Sequence, residues 1–295
     1  MKKNSLFKSI SACVLALGFL VQPNAQAGTL VLEKFASKAL GRDYAFNVYL
    51  PDGYKDATEK DSNLRYPIIY LLHGASGDEN DWVTKGSVVQ TLDGLIKRGL
   101  MRESVVILPG NGTSWWVDAA VDKAETAFMT ELIPTAESRY KVRSERSARA
   151  IGGLSMGGYG ALNLALSYPE KFCSAGIISP AIYTPLPPET SAARRTPQFV
   201  RDGKFDDQLW ASVLYTARLE KYKAQSVRVP MWIASGDHDF LGIALMSTQL
   251  YWTMYQVQKP LVELRVQDGD HEWMFFRDAL PDALLYMNKH CTKSN

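Results

Sequence analysis

The stretch ARAIGGLSMGGYGALNLALSYPE (148–170) contains Ser155 with a glycine two residues away on each side. Its first part is a short apolar run typical of a buried strand, and its second part has the character of a helix. The pattern G-x-S-x-G therefore falls at a strand-to-helix turn, where glycines relieve crowding and the serine hydroxyl projects beyond the sheet. The N–H of Met156 then lies free at a helix N-terminus. The stretch predicts that Ser155 is a nucleophile. The alternative is a glycine-rich helix N-terminus in which the serine has no catalytic role.

The rest of the chain alternates short apolar runs with longer amphipathic ones, which is typical of a mainly parallel sheet covered by helices. Further strands are predicted at 44–51, 66–74, 104–110, 173–180, 229–235 and 260–266. Helices are predicted at 122–140, with a kink or break at Pro134, and at 272–290, interrupted near Pro281. Between the strands at 173–180 and 229–235 we expect an insertion, richest in proline and arginine near 183–199, with some helix of its own. The sequence predicts one α/β domain.

The N-terminal segment has the pattern of an export signal. Three lysines precede an apolar stretch at about 10–21, and the triplet Ala-Gln-Ala at 25–27 provides a small-x-small cleavage site. The apolar stretch is shorter than the ~20 residues that span a bilayer, so a permanent anchor is the less favoured alternative. We expect a cleaved signal peptide at 1–27, a periplasmic or secreted chain without stable membrane insertion, and a single domain at 28–295.

The net charge gives no reason to expect nucleic acid or an anionic membrane as a partner. The whole chain has a formal charge of +2, and removal of 1–27 takes away three lysines and no acidic residue, which leaves −1. The cysteines that remain are Cys173 and Cys291, which in an oxidising compartment either pair or stay as two buried thiols. Because the sequence has no CxxC motif or His/Cys cluster, we expect no structural zinc site.

A serine nucleophile needs a base, and the sequence has four histidines. His271 follows the last strand in QDGDHEW, and the chain order nucleophile, acid, base known for G-x-S-x-G folds puts the base there. The alternative is a loop histidine bonded to Asp268 or Asp270. His73, which ends an early strand, is expected to shape a loop, and His290 to be a solvated residue of the last helix.

The acid is expected after the penultimate strand, in WIASGDHDF (232–240). Asp237 and Asp239 are the two candidates, and they flank His238. Spacing alone does not choose between them, because adjacent loop residues aim in different directions.

Four blocks together resemble the esterase D-like branch of the α/β-hydrolases: YLLHGASGDENDW, GLSMGGYGALNLAL, GDHDFL and GDHEWMFFRDAL. That branch includes feruloyl esterases, S-formylglutathione hydrolases, enterochelin-type esterases and the antigen 85 mycolyltransferases. The resemblance extends from about residue 30 to residue 288 and is weakest at 183–225. It implies an α/β-hydrolase fold with a mostly parallel central sheet flanked by helices.

The resemblance also implies roles for individual residues. The fourth residue of a G-x-x-D-x-L block is the acid in feruloyl-esterase-like members, which selects Asp239 over Asp237. The backbone N–H of the residue after the His-Gly pair, here Ala75, is the family's second oxyanion donor beside that of Met156. The family has a tryptophan-rich loop near the acyl site, which NGTSWWVDAA (111–120) resembles. Trp115 and Trp116 are therefore candidates for binding an aromatic or sugar group, although ordinary packing is an equal alternative for both.

These features together predict a serine carboxylesterase that needs neither a metal nor an organic cofactor. The expected triad is Ser155, Asp239 and His271. The expected substrates are small-molecule or polysaccharide-linked esters of feruloyl or acetyl type. An acyltransferase that uses a carbohydrate hydroxyl as acceptor is the first alternative, and a catalytically inactive binding module is the second. A formylglutathione hydrolase is disfavoured, because its substrate belongs to the reducing cytosol and this chain has an export signal.

Overall fold

A mixed sheet of eight strands forms the centre of the computed structural model, which describes residues 27–55 and 63–291. The strands are β1 Thr29–Ser37, β2 Arg42–Leu50, β3 Ile68–Leu72, β4 Val105–Pro109, β5 Arg149–Leu154, β6 Ser174–Ile178, β9 Met231–Gly236 and β10 Val262–Gln267. Two short strands, β7 Val200–Arg201 and β8 Lys204–Phe205, form a separate hairpin. The signal peptide expected at 1–27 lies outside the described residues except for Ala27.

Helices cover both faces of the sheet. They are α1 Asp81–Thr84, α2 Val88–Lys97, α3 Ala124–Thr126, α4 Ile133–Arg139, α5 Met156–Ser167, α6 Asp207–Val213, α7 Tyr215–Lys223, α8 Ile243–Gln258 and α9 Trp273–His290. Helices α5 and α8 pack into the core on one face, whereas α2 and α9 pack on the other. Within the described ranges, every helix is too short or too polar to cross a membrane.

The strand order across the sheet is β1-β2-β4-β3-β5-β6-β9-β10. Only the pairs β1·β2 and β2·β4 are antiparallel among the described pairs of this sheet; the others are parallel. Strands β3, β4, β5, β6 and β9 are buried along their whole length, which explains why their sequences are continuous apolar runs. The mostly parallel, helix-flanked sheet expected from the sequence is confirmed.

The parallel strands bring four loops to one edge of the sheet. Strands β3, β5, β9 and β10 run in the same direction, so the residues that follow their carboxyl ends meet there. The loop after β3 begins at His73, the turn after β5 contains Ser155, and the loops after β9 and β10 contain Asp239 and His271. This edge therefore gathers residues that are more than a hundred positions apart in sequence.

The two proline positions behave differently from each other. The helix expected at 122–140 runs from α3 to α4 through a π-helical segment, Ala127–Leu132, which ends two residues before Pro134. In a π turn each carbonyl bonds to an N–H one residue further along the chain, so a carbonyl that lacks the proline N–H can find another donor. The irregularity expected at Pro134 takes this form. The interruption expected near Pro281 is wrong, because α9 is continuous through it. Pro281 has no N–H to donate to the carbonyl of Arg277, four residues earlier. Because Arg277 is exposed, water can hydrate that carbonyl.

The expected insertion lies between β6 and β9 and contains α6, α7 and the β7–β8 hairpin. Its anchor is Trp210, which is fully buried. The Trp210 ring stacks on Tyr159 of α5 at 5.8 Å and meets Trp115 edge-on at 5.7 Å. These contacts fix the insertion against the carboxyl edge of the sheet.

Cys173 and Cys291 form a disulfide, which decides between the two alternatives that the sequence leaves open. Their Cα atoms are 5.2 Å apart, and both residues are buried. The bond joins the start of β6 to the end of α9 across 118 residues of sequence. It therefore closes a long loop and ties the last helix to the central sheet.

Replacing both cysteines with serine is expected to lower the free energy of unfolding by about 3–5 kcal/mol. The disulfide closes a loop of roughly 100 residues and so lowers the entropy of the unfolded chain, and the double variant lacks this restraint. Urea unfolding of the wild type and of Cys173→Ser/Cys291→Ser measures this loss. A reducing agent should destabilise the wild type to a similar degree and leave the double variant unchanged. Equal urea midpoints for the two proteins would contradict the expectation.

Candidate active site

Ser155 lies at the turn between β5 and α5 in a backbone conformation that L-residues rarely adopt, with φ 52° and ψ −117°. Its N–H donates to the carbonyl of Ile178 at 2.9 Å. Its carbonyl accepts from the N–H groups of Tyr159, at 2.9 Å, and Ala181, at 3.0 Å. Three backbone hydrogen bonds thus hold a conformation that costs of order 1–3 kcal/mol.

The glycines on either side of Ser155 are required by close backbone contacts. A Cβ on Gly153 would lie 2.5 Å from the carbonyl oxygen of Gly157. A Cβ on Gly157 would lie 2.6 Å from the carbonyl oxygen of His73 and closer still to that of Leu72. The turn is therefore packed directly against the end of β3, which leaves no room for a side chain at either position.

Ser155, His271 and Asp239 form a continuous series of hydrogen bonds. The His271 Nε2 atom is 2.9 Å from Ser155 Oγ, and His271 Nδ1 is 2.7 Å from Asp239 Oδ2. The Asp239 carboxylate, whose side chain is fully buried, also accepts the N–H of Leu241 at 3.0 Å. An ionised carboxylate only accepts hydrogen bonds, so it selects the Nδ1–H tautomer of His271. The Nε2 atom is then free to accept the serine proton.

The other acid, Asp237, contacts the neighbouring loop instead of His271. Its Oδ1 accepts the N–H of Gly269 at 3.2 Å, and its side chain is 47% exposed. Asp270 does not reach the imidazole in this arrangement; its Oδ1 accepts the backbone N–H of His271 at 2.6 Å. The structure thus brings Asp239, and not Asp237, to His271.

The two expected oxyanion donors belong to residues next to Ser155 in the chain or at the same pocket. Met156 is the first residue of α5, so its N–H has no partner within the helix. Ala75 lines the same pocket as Ser155, and a Cβ placed on Gly74 would be 3.5 Å from Ser155 Cβ. Met156 thus follows the serine directly, and Ala75 contributes to the wall of the serine's pocket, so both amides stay candidates for binding the oxyanion.

His73 fixes the peptide that contains the Ala75 N–H. The backbone N–H of Asn111 donates to His73 Nε2 at 2.9 Å, so the ring proton is on Nδ1, which donates to the Gly74 carbonyl at 2.7 Å. Burial lowers the pKa of His73 and keeps its ring neutral. Because the Gly74 carbonyl and the Ala75 N–H belong to one planar peptide, this bond sets the direction of that N–H. His73 shapes the loop, as expected.

The two tryptophans of the 111–120 loop occupy different places. Trp115 lines the pocket, and its ring meets Tyr159 edge-on at 5.4 Å. For Trp116 the structure favours the packing alternative over substrate binding, because its ring is fully buried in the core. It packs against Gly160 of α5 and edge-on against His73 at 5.2 Å. Trp116 has a φ of 60°, which turns its side chain inward while its neighbour faces the pocket.

The pocket above Ser155 has a volume of about 240 Å³. Several of its lining residues were not predicted from the sequence: Tyr183, Thr190, Ser191 and Ala192 of the insertion, and Phe240, Trp273 and Phe276 beside the acid and the base. The last three were within the quoted motifs, so their nearness to Asp239 and His271 was a usable signal. The insertion residues had no comparable signal in the sequence.

Comparison with known proteins places the chain among esterases. Residues 37–287 match the model of the family described as "Putative esterase". An endo-1,4-beta-xylanase/feruloyl esterase of Xylanibacter ruminicola is 31% identical over 163 residues, which is 54% of this chain and 22% of that protein. An acetyl esterase of Caldicellulosiruptor saccharolyticus is 26% identical over 272 residues, which is 86% of this chain and 96% of that protein. The first three curated relatives are matched over only 22% to 33% of their length.

A solved ferulic acid esterase has the same overall structure. It superposes with a TM-score of 0.77 at 27% identity, over 89% of this chain and 98% of its own. Its likeness and the strand order above establish the α/β-hydrolase fold. Since the family model matches most of the residues as well, the chain belongs to the "Putative esterase" family of α/β-hydrolases.

Proposed function

We propose that this chain is an exported serine carboxylesterase that removes small or aromatic acyl groups from carbohydrate-linked esters. The observation that supports this most is the hydrogen-bonded series from Asp239 through His271 to Ser155 at the wall of an open pocket. A hydroxyl that donates to an imidazole held by a carboxylate is suited to nucleophilic attack on an ester carbonyl. Membership of an esterase family supports the same chemistry.

The first step is the formation of an acyl-enzyme. Ser155 Oγ attacks the ester carbonyl while His271 Nε2 takes the hydroxyl proton, and Asp239 stabilises the imidazolium that results. The N–H groups of Ala75 and Met156 donate to the oxygen that becomes negative, and the loss of one such donor typically costs ~10²–10³ in rate. The C–O bond to the alcohol then breaks, and His271 gives its proton to the leaving oxygen.

The second step is hydrolysis of the acyl-enzyme. A water molecule gives a proton to His271 and attacks the acyl carbon, and the tetrahedral intermediate collapses to release the acid and to restore the Ser155 hydroxyl. The cycle needs no metal or organic cofactor, because the imidazole and the two backbone amides supply the proton transfer and the charge stabilisation.

The relatives and the pocket support the proposed substrate class. The relatives' names specify feruloyl and acetyl esters, and one of them also names a xylanase. The pocket combines an aromatic wall, formed by Trp115, Tyr183 and Phe276, with the polar groups of Thr190 and Ser191. An apolar wall with a few polar groups suits an acyl group attached to a hydroxylated alcohol.

The N-terminal sequence and the disulfide together support export. Residues 1–27 have the pattern of a cleaved signal, and the Cys173–Cys291 bond suits an oxidising compartment. We propose that the mature chain begins at Gly28 and acts as a single catalytic domain in the periplasm or outside the cell. Sequencing the N-terminus of the exported protein tests this, and retention of residues 1–27 would contradict it.

The activity is tested with esters and with a serine-directed inhibitor. The purified chain is expected to hydrolyse at least one of ethyl acetate, ethyl butyrate, ethyl ferulate and acetylated xylan. A fluorophosphonate is expected to stop this activity and to add to the peptide that contains Ser155, as read by mass spectrometry. A folded chain that hydrolyses none of the esters and gains no adduct would overturn the proposal, and an adduct on another serine would overturn the assignment of Ser155.

A further inference from the structure

Phe240 is a large apolar side chain exposed at the mouth of the pocket. Its residue is 69% accessible, whereas Trp115 and Tyr183, which line the same pocket, are each 2% accessible. Phe240 follows Asp239 directly, and its ring centroid is 6.2 Å from that of His271. Because most of the ring stays in water, burial within this chain contributes little to holding it there.

The position of the base fixes where the alcohol part of an ester lies. His271 Nε2, 2.9 Å from Ser155 Oγ, takes the serine proton and must later give it to the leaving oxygen. The alcohol therefore lies on the His271 side of Ser155, which is also the side of Phe240. The acyl group is left with the more enclosed part of the pocket, where Trp115 and Tyr183 are buried.

Hydrogen-bonding groups lie near Phe240 and in the same pocket. Asp270 Oδ1 accepts the backbone N–H of Phe240 at 3.3 Å, which places a carboxylate beside the backbone that carries the ring. Thr190, an exposed residue of the same pocket, adds a hydroxyl to the mouth. A sugar ring has an apolar C–H face, which suits the negative face of an aromatic ring, and an edge of hydroxyls, which suits carboxylate and hydroxyl partners. A simple alkyl alcohol offers an apolar surface to the aromatic ring but has no edge of hydroxyls for the polar groups.

We propose that Phe240 is the platform on which the sugar ring of the substrate's alcohol part stacks, and that it sets a preference for carbohydrate esters over alkyl esters. This inference rests on the proposed esterase function and adds to it the site of the leaving group. Loss of one aromatic stacking contact corresponds to a fall of about three- to tenfold in kcat/KM.

The test compares two esters of one acyl group with different alcohols, acetylated xylotetraose and ethyl acetate. For each protein, the ratio of kcat/KM on the sugar ester to kcat/KM on ethyl acetate is measured. Phe240→Ala is expected to lower this ratio about three- to tenfold, mainly through a higher KM for the sugar ester. Phe240→Tyr keeps the ring and is expected to keep the ratio within about twofold of the wild type. Trp252→Ala is the matched control, since Trp252 is 62% exposed on α8, and it is expected to leave the ratio unchanged.

The outcomes separate this inference from the proposed function. An active enzyme whose ratio is the same in Phe240→Ala as in the wild type overturns the inference and leaves the esterase function intact. An equal fall of the ratio in Trp252→Ala also overturns it, because the effect is then not specific to the pocket mouth. A folded wild type that hydrolyses none of the four esters of the activity test and gains no fluorophosphonate adduct overturns the proposed function and the inference with it.

Discussion

Replacing Ser155 with alanine is expected to lower kcat for ester hydrolysis by roughly 10⁴–10⁶-fold. The change removes the oxygen that lies 2.9 Å from His271 Nε2, and with it the atom that forms the acyl-enzyme. The pocket, the backbone turn and the amides of Ala75 and Met156 remain, so substrate binding is expected to persist. Initial rates at high enzyme concentration, on the best ester found for the wild type, measure the loss.

A matched control separates this loss from a general effect of removing a serine hydroxyl. Ser212 is an exposed residue of α6, and its hydroxyl donates to the carbonyl of Leu209 within the same helix. Ser212→Ala is expected to retain the wild-type rate, and both variants are expected to give the wild-type circular dichroism spectrum. If folded Ser155→Ala kept more than about a hundredth of the wild-type kcat, another group would have to be the nucleophile.

The sequence was most informative where backbone constraint and motif coincide. The turn around Ser155 requires glycine at positions 153 and 157, since a Cβ at either would meet main-chain atoms, and that requirement is visible as G-x-S-x-G. The buried strands were visible for a similar reason, because both of their faces need apolar residues. The order of the loops after these strands placed the two acid candidates and His271 at one edge, and the family resemblance selected Asp239, which the structure brings to His271.

The sequence was least informative where the direction of a side chain or irregular packing determines the position of a residue. Trp115 and Trp116 are adjacent, but one lines the pocket and the other is in the core, because the backbone turns at Trp116. The strand β1 is not evident from the sequence, because most of its residues are partly or fully exposed and its apolar residues do not alternate with polar ones. The helix α8 was missed because it mixes apolar and uncharged polar residues without an evident period. The insertion is held by rings from distant parts of the chain, which no local pattern reveals.

The choice between Asp237 and Asp239 depends on loop geometry that spacing does not encode. The two residues flank His238, but the Asp239 side chain is fully buried against His271, whereas that of Asp237 is 47% exposed. Replacing each in turn with asparagine keeps the shape and removes only the charge, so this pair of variants compares their roles directly.

Asp239→Asn is expected to lower kcat by roughly 10³–10⁴-fold, because the amide imposes the wrong tautomer on His271. In the wild type, Oδ1 accepts the N–H of Leu241 and Oδ2 accepts from His271 Nδ1. An asparagine satisfies the Leu241 N–H with its oxygen and must then present its NH₂ group to Nδ1. That NH₂ needs an acceptor, so the imidazole proton moves to Nε2, which can no longer take the proton of Ser155.

Asp237→Asn is the matched control and is expected to keep kcat within about threefold of the wild type, since the new amide oxygen can still accept the N–H of Gly269. Both rates are measured at neutral pH on one ester, with urea midpoints to confirm that each variant is folded. A loss in Asp237→Asn as large as that in Asp239→Asn, or a loss in Asp237→Asn alone, would show that the acid is wrongly assigned. Because both variants remove one negative charge from the same loop, a difference between their rates measures contact with His271 and not the net charge of the loop.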